Sequence, residues 1–346
     1  SEEGVDQAGQ WINECLTEHD ECPGPNEPAL PRRVIEILDD DNLVLRENLD
    51  GTAEGRYTAL SYCWGGVQDF ATTTKTLEYN LQGFKVSELG TSLQDAVFLT
   101  RKLGLQYIWI DAMCIIQDSI EDKESEIPKM GPYFNNSHVT ICEATSEGST
   151  NSFLKTRLAC EYHPDSTLPF DEPIEGRAWP FQERVLSPRV LNYGQWLKKK
   201  KKKKQSKESN MDTLETPPGD IYAYWHQAVH AYSVRLKTLQ SDKLPAIAAL
   251  ASVFAEASGD EYIAGLWRGN LLRELLWSTW PDIYIQKPDE YRAPTWSWAS
   301  CDNNITYKHL PPGDARPVAK VIGCRTTTYN TQSSSPMEPF AIRTRH

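Results

Sequence analysis

Two short apolar segments of the chain end abruptly in polar and aromatic residues. The first runs from Tyr57 to Tyr62 and leads into Cys63, Trp64 and two glycines, and the second runs from Leu105 to Asp111. Apolar runs of this length, rich in β-branched and aromatic residues, are typical of buried parallel strands. Since ligands bind at the carboxyl ends of strands in open α/β sheets, we expect functional side chains directly after both strands.

Helical periodicity separates these strands and continues after them. The pattern predicts a helix from Thr91, with Gln94 completing a capping box and Gly104 ending the helix. A second helix is predicted from Ser119 to about Asn135, and a third strand from His138 to Cys142. Alternating strands and helices with short links favour right-handed parallel crossovers. The predicted fold class is therefore α/β, a three-layer core with a mostly parallel central sheet.

Further elements flank this core. We predict an N-terminal helix from about Asp6 to Leu16 and a hairpin, Val34–Leu38 with Leu43–Leu45, on the edge of the fold. The remaining predictions are a helix over 176–187, a strand over 189–192, and helices over 221–236 and 241–257, the last with Ser241 as its cap.

Composition divides the chain into three expected parts. Residues 1–195 would form the α/β domain, with the N-terminal helix, the hairpin and a closing helix. Residues 196–219 form a low-complexity, Lys-rich insert, and residues 220–346 a helical region whose Trp-rich tail packs on the core. We interpret the run Lys198–Lys204 as a solvated loop or an artefact; the alternative is a tether to anionic lipid or nucleic acid.

The overall charge restricts the classes of partner. A net charge of -12 argues against nucleic-acid binding, which needs a basic surface. The polar N-terminal residues do not resemble a signal peptide, and no apolar stretch approaches the ~20 residues that cross a bilayer. Eight cysteines at irregular spacing do not suggest a disulfide framework, so we expect a cytoplasmic protein without a transmembrane segment.

Three blocks of sequence carry a family resemblance. They are "ALSYCWGG", "SLQDAVFLTRKLGLQYIWIDAMCIIQD" and "RAWPFQERVLSPRVL", in this order. Together they resemble the fungal heterokaryon incompatibility (HET) domain, and similarity to the family extends from about Trp11 to Ser300. Two departures are Gly90, where the family usually has proline, and the lysine run, which interrupts a stretch that is normally aromatic and acidic.

The resemblance implies a function and a chemistry. HET-domain proteins act in fungal self/non-self recognition and programmed cell death. The HET fold is thought to be distantly related to the TIR fold, some members of which cleave NAD with a single glutamate. This implies a TIR-related core, with NAD or a related nucleotide as a substrate rather than as a bound cofactor. Cleavage of the glycosidic bond passes through an oxocarbenium-like state, which a carboxylate and an aromatic wall would suit.

The candidate site residues come from the two strand ends and from the "RAWPFQER" block. Asp111 and Glu183 are the candidate catalytic acids, and Cys114 is a candidate nucleophile. The expected ligand-binding side chains are Ser61, Tyr62, Trp64, Gln117, Arg177, Trp179, Gln182 and Arg184. Simpler interpretations stay open: Asp111 as a helix cap, Glu183 in a buried ion pair, and Cys114 as inert packing.

Two other functions are also compatible with the sequence. One is a non-catalytic module that assembles through homotypic contacts, with a second copy or an activating protein as its partner. The other is a small-molecule enzyme of secondary metabolism, using acyl transfer or cyclisation in the same cleft. Absence of a GxGxxG or Walker loop argues against a dinucleotide dehydrogenase or kinase, and Gly65-Gly66 is better explained as a turn.

Cysteines and histidines cluster twice along the chain. Cys15, His19 and Cys22 are one group, and Cys160 with His163 is another. These residue types bind zinc, but the spacing differs from the usual finger patterns. From the sequence we therefore favour ordinary packing at a helix end and assign no metal ligand.

Overall fold

A computed structural model of the protein describes residues 2–20, 22–24, 27–154, 172–194, 220–235, 240–280, 285–307, 319–321 and 343–344. The chain forms two units, Ser1–Lys202 (unit 1) and Lys203–His346 (unit 2). The run Lys198–Lys204 lies outside the described residues, as do Cys160 and His163. None of the described helices has the length and apolar character of a bilayer-spanning segment.

Unit 1 contains both candidate strands and the helices around them. Its described strands are β1 Arg33–Ile37, β2 Asn42–Glu47, β3 Tyr57–Ser61, β4 Phe84–Lys85, β5 Tyr107–Trp109, β6 Val139–Glu143 and β7 Val190–Tyr193. Its described α-helices are α1 Glu2–Glu18, α2 Leu77–Gln82, α3 Thr91–Lys102, α4 Asp111–Cys114, α5 Ile120–Glu126, α6 Met130–Asn136 and α7 Trp179–Leu186.

The strands of unit 1 form one mixed sheet in the order β4-β2-β1-β5-β3-β6-β7. Strands β5, β3, β6 and β7 pair in parallel, with Tyr57 opposite Tyr107 and Ser61 opposite Cys142. Strands β1, β2 and β4 extend the sheet in antiparallel pairings. The predicted α/β class is confirmed, and its parallel part is the half of the sheet that contains the candidate site.

Side chains on β3 show that helices cover both faces of the sheet. All five residues of β3 are buried. The Thr58 hydroxyl is 2.7 Å from that of Thr100 in α3. On the opposite face, the Tyr57 hydroxyl donates to the Tyr133 carbonyl in α6, and Ser61 donates to Glu183 in α7. Because neighbouring strand residues point to opposite faces, α3 lies on one side and α6 with α7 on the other.

The strand order locates a crevice at the carboxyl ends of β3 and β6. After β3 the chain returns to the sheet at β4 and then at β5, both on one side of β3, and after β6 it returns at β7, on the other side. Connections that leave two adjacent parallel strands in opposite directions open a crevice beyond their carboxyl ends, where α/β proteins bind ligands. The segment after Ser61 and the segment after Glu143 therefore border this crevice.

Three local predictions need correction. The hairpin is not on the edge of the fold, because β1 pairs with β5 and β2 pairs with β4, which is the edge strand. Thr91 is not a cap but the first residue of α3, after Gly90, and the Gln94 side chain bonds the Leu89 carbonyl. The segment 119–135 forms α5 and α6 around a 3-10 turn, Ile127–Lys129, that contains a proline.

Unit 2 has its own aromatic core. Its described helices are α8 Ile221–Ser233, α9 Pro245–Ser258 and α10 Leu271–Glu274, and its described strands are β8 Tyr262–Ile263, β9 Leu266–Trp267, β10 Trp277–Trp280, β11 Asn304–Tyr307, β12 Ala319–Lys320 and β13 Arg343–Thr344. Trp225 and Trp267 pack edge to face with ring centroids 5.3 Å apart. Ser241 does not cap α9, because it lies in a separate 3-10 turn, Gln240–Lys243.

Candidate functional site

Asp111 lies two residues beyond β5 and begins the single turn α4. One carboxylate oxygen accepts a hydrogen bond of 2.7 Å from the Ala112 backbone N–H, and the other accepts one of 2.9 Å from the Trp64 indole. The first contact is local to the first turn of α4, and it is not a cap, because Ile110 holds the cap position. The second contact joins the ends of β5 and β3 and therefore fixes Asp111 at the crevice.

Burial changes the acidity of Asp111. Part of its surface remains accessible to solvent, but surrounding protein atoms raise its pKa to about 6 in spite of its hydrogen bonds. The Trp64 and Ala112 donors and the charge of Arg177 lower the pKa, and they only partly offset the loss of hydration. At neutral pH Asp111 is therefore mostly ionised, with a carboxylate close to its protonation midpoint.

Glu183 reaches the same crevice from α7. Its side chain is buried and accepts a 2.5 Å hydrogen bond from the Ser61 hydroxyl at the end of β3. Burial raises the pKa of Glu183 to about 8, and the negative charge of Asp111 contributes to the rise, whereas Ser61 and Arg177 lower it. At neutral pH Glu183 is mostly protonated. Two carboxyl groups from distant parts of the sequence thus carry different charges in one site.

Tyr62 and Arg177 complete the centre of the cluster. The Tyr62 hydroxyl is buried beside the Asp111 carboxylate, which it supports as a hydrogen-bond donor. Its pKa is raised by burial and by the charges of Asp111 and Glu183. The Arg177 guanidinium lowers the pKa values of Tyr62, Asp111 and Glu183, so its positive charge acts on all three groups. The structure therefore brings together six of the candidate residues, which are Ser61, Tyr62, Trp64, Asp111, Arg177 and Glu183.

A close backbone crossing holds the loop after β3. Gly65 has φ +77°, and a Cβ placed there would overlap the Cα of Gly148 in the loop after β6. The Gln68 side chain donates to the Trp64 and Gly66 carbonyls and accepts from the Ser149 hydroxyl. Glycine at 65 satisfies both the positive φ and the contact, so the turn keeps the Trp64 indole over Asp111.

Trp179 and Gln182 occupy the same helix as Glu183. Trp179 is half-buried and packs against the hydrophobic core of unit 1. It precedes Glu183 by four residues, so both side chains lie along one face of α7. Gln182 is buried. Trp64 bonds Asp111, and Trp179 lies along α7 from Glu183, so a partly exposed aromatic ring accompanies each acid.

Three other candidates have local structural contacts. The Gln117 side-chain amide donates to the backbone carbonyls of Asp111 and Ile115. Arg184 forms an ion pair with Glu175. Cys114 is buried in the core, and burial raises the pKa of its thiol to about 12. Such a thiol is protonated at neutral pH and lacks the thiolate that nucleophilic catalysis needs.

The structure adds two residues that the sequence analysis did not select. Cys63 is buried directly after Tyr62, and Arg177 forms a hydrogen bond with its thiol. Glu143 ends β6, and one of its oxygens accepts hydrogen bonds from Thr145 and Ser146, while the other has no partner among the described residues. Glu143 also stood at the carboxyl end of a predicted strand region, and that position could have indicated it.

The cluster is nearly closed to solvent. A surface depression of about 620 Å³ lies elsewhere on unit 1 and is lined by Leu30, Arg32, Asn48, Leu49, Asp50, Gly51, Lys129 and Tyr133. None of the clustered acids lines it. A ligand would reach the described residues of the cluster through its partly exposed side chains, which are those of Trp64, Asp111 and Arg177.

Comparison with protein families assigns this region. Residues 57–173 match the family model described as heterokaryon incompatibility protein (HET). The segment 57–173 belongs to the HET family. The matched segment begins at the first residue of β3 and includes Asp111 and Glu143, so it provides most of the crevice described above. No curated protein and no solved structure is significantly similar to the chain.

Proposed function

We propose that the HET domain of this protein cleaves the bond between ribose and nicotinamide in NAD or a related nucleotide. The observation that carries the proposal is the convergence of Asp111 and Glu183 beside Tyr62 and Arg177, with pKa values of about 6 and about 8 for the two acids. Two acids held in different charge states at one pH are typical of sites that combine a carboxylate with a proton donor.

Each group has a role in the proposed reaction. The C1′–N bond breaks, its electron pair goes to the pyridinium nitrogen, and neutral nicotinamide leaves. The Asp111 carboxylate stabilises the positive charge that develops at C1′ and accepts the proton of the water that adds there. Protonated Glu183 donates a hydrogen bond to a ribose hydroxyl, and Arg177 binds a phosphate oxygen. The rings of Trp64 and Trp179 flank the nicotinamide.

The proposed activity gives the domain a cellular role. Loss of NAD would stop energy metabolism, which supports an action in heterokaryon incompatibility through programmed cell death. A closed crevice suits such an enzyme, because an uncontrolled activity would damage the cell that produces it. We propose that a second copy of the chain opens the site.

The activity can be tested with the purified full chain and NAD, by measuring nicotinamide release by chromatography. We expect Asp111→Asn to lower the rate by about 100-fold or more, the usual contribution of a general base. Asp69→Asn, which changes an exposed carboxylate near the site, should retain the wild-type rate. No release by the wild-type chain at any concentration of protein would exclude the enzyme.

The pH dependence provides a second test. The active form needs ionised Asp111 and protonated Glu183, so the rate should rise with pH through about 6 and fall through about 8. Glu183→Gln imitates the protonated acid and should retain activity without the fall at high pH. If Asp111→Asn remains folded and still kills fungal cells that express it, non-catalytic assembly would replace the proposal.

A further inference from the structure

The end of helix α1 brings two thiols and an imidazole together. Cys15 lies in the last turn of α1, and His19 follows the helix directly. The Cys22 N–H donates to the His19 carbonyl, which turns the chain back towards the helix. One ligand atom each from Cys15, His19 and Cys22 lie within 4.8 Å of one another. This cluster belongs to neither the crevice nor its supporting loops.

The spacing of the cluster fits a tetrahedral zinc ion. With Zn–S of about 2.3 Å and Zn–N of about 2.1 Å, a tetrahedral site separates a sulfur and a nitrogen ligand by about 3.6 Å. The Cys22 sulfur and the His19 Nδ1 are 3.8 Å apart. A small rotation of side chains would therefore complete three positions, and water or a further ligand would fill the fourth.

A buried arginine supports negative charge at Cys15. Arg189 is only 8% exposed, and its Nε donates to the Cys15 sulfur at 3.3 Å. Its other contacts are with the His138 and Pro23 carbonyls, and it has no carboxylate partner among the described residues. A buried cation needs a compensating charge, which Cys15 would supply as a metal-bound thiolate. Metal-bound thiolates commonly accept such N–H donors from the surrounding shell.

We propose that Cys15, His19 and Cys22 bind a zinc ion, with Arg189 as a positioning residue that bonds the Cys15 thiolate. Two thiolates and one imidazole form a ligand set that favours zinc over magnesium or calcium. The bound ion would join the end of α1 to segment 22–24. Since Arg189 also bonds Pro23 and precedes β7, the ion would fasten the N-terminal helix to the parallel edge of the sheet.

Cobalt provides a direct test on the full chain, purified without metal and kept reduced. One equivalent of Co²⁺ should produce thiolate charge-transfer bands and the visible bands of a tetrahedral complex, and Zn²⁺ should abolish both. We expect Cys15→Ser and Cys22→Ser to weaken zinc binding at least about tenfold and Arg189→Gln about tenfold, the usual range for supporting residues. Cys301→Ser, which changes a thiol of unit 2, should retain wild-type affinity.

Two results would overturn the zinc site. One is a wild-type cobalt spectrum without thiolate bands, a measurement that does not depend on the folding of any variant. The other is a Cys15–Cys22 disulfide in protein alkylated at lysis, seen as a mass two hydrogens lower and two fewer reactive thiols. Circular dichroism of the variants separates loss of a ligand from loss of fold. None of these measurements requires NAD cleavage.

Discussion

The buried carboxyl of Glu183 makes a specific prediction about stability and pH. Its pKa rises from 4.5 to about 8 in the folded protein. At pH values below its unfolded-state pKa, such a carboxyl is protonated in both states and does not affect the free energy of unfolding. As pH rises from the unfolded-state pKa to the folded-state pKa, the free energy of unfolding falls, because only the unfolded chain releases the proton readily. A tenfold change in an acid dissociation constant corresponds to about 1.4 kcal/mol, so burying Glu183 costs about 5 kcal/mol of unfolding free energy between pH 4.5 and pH 8.

Substitution of Glu183 by glutamine removes this cost. Glutamine has nearly the shape of the protonated acid and retains a group that can bond the Ser61 hydroxyl. At pH 5 the variant and the wild type should differ by no more than about 1 kcal/mol, the value of one hydrogen bond. At pH 9 the variant should be more stable by about 5 kcal/mol. The raised pKa of Asp111 affects both proteins and cancels in the difference.

Urea-dependent hydrogen exchange of peptides from β3 and α7 measures this difference within unit 1, whatever unit 2 does. Glu124→Gln, which changes an exposed glutamate of α5, serves as the matched control and should follow the wild type at both pH values. A constant difference between Glu183→Gln and the wild type from pH 5 to pH 9 would refute the reasoning. The carboxyl would then titrate alike in the folded and unfolded chain.

Two further pairs of substitutions test the packing of unit 1. Gly51→Ala and Gly65→Ala both place a side chain at positive φ, which costs about 1 kcal/mol, but only Gly65→Ala meets the backbone of Gly148 and should cost at least about 2 kcal/mol more, measured by urea unfolding. Arg33→Met removes the buried partner of an ion pair and should cost about 3–5 kcal/mol, whereas Arg46→Met, in an exposed pair, should cost less than about 1 kcal/mol. Equal losses within either pair would contradict these assignments.

The elements that the sequence predicted well are those with a strong local signal. Strand β3, helix α3 and the turn at Gly104 follow from an apolar run, a periodic face and a residue with positive φ. Strand β4 has two residues, and its pairing with β2 is a long-range contact that no local pattern records. Gly90 and Thr91 show the same limit, since propensity alone did not decide which residue begins α3.

The candidate site shows the same contrast between local sequence signals and long-range contacts. The position of Asp111 at a strand end was visible in the sequence because parallel strands deliver their next residues to one edge. The indole bond from Trp64 and the hydroxyl bond from Ser61 to Glu183 were not visible, because they join residues 47 and 122 positions apart. The roles of Gln117 and Arg184 were equally hidden, since their partners depend on how loops and α7 pack.

The alternation along β3 limits how HET sequences can vary. Thr58 contacts α3 and Ser61 contacts α7 through opposite faces of one five-residue strand. An insertion or deletion of one residue inside that strand would exchange the two faces and turn the serine away from its acid. Related chains should therefore tolerate changes of residue type in this stretch more readily than changes in its length.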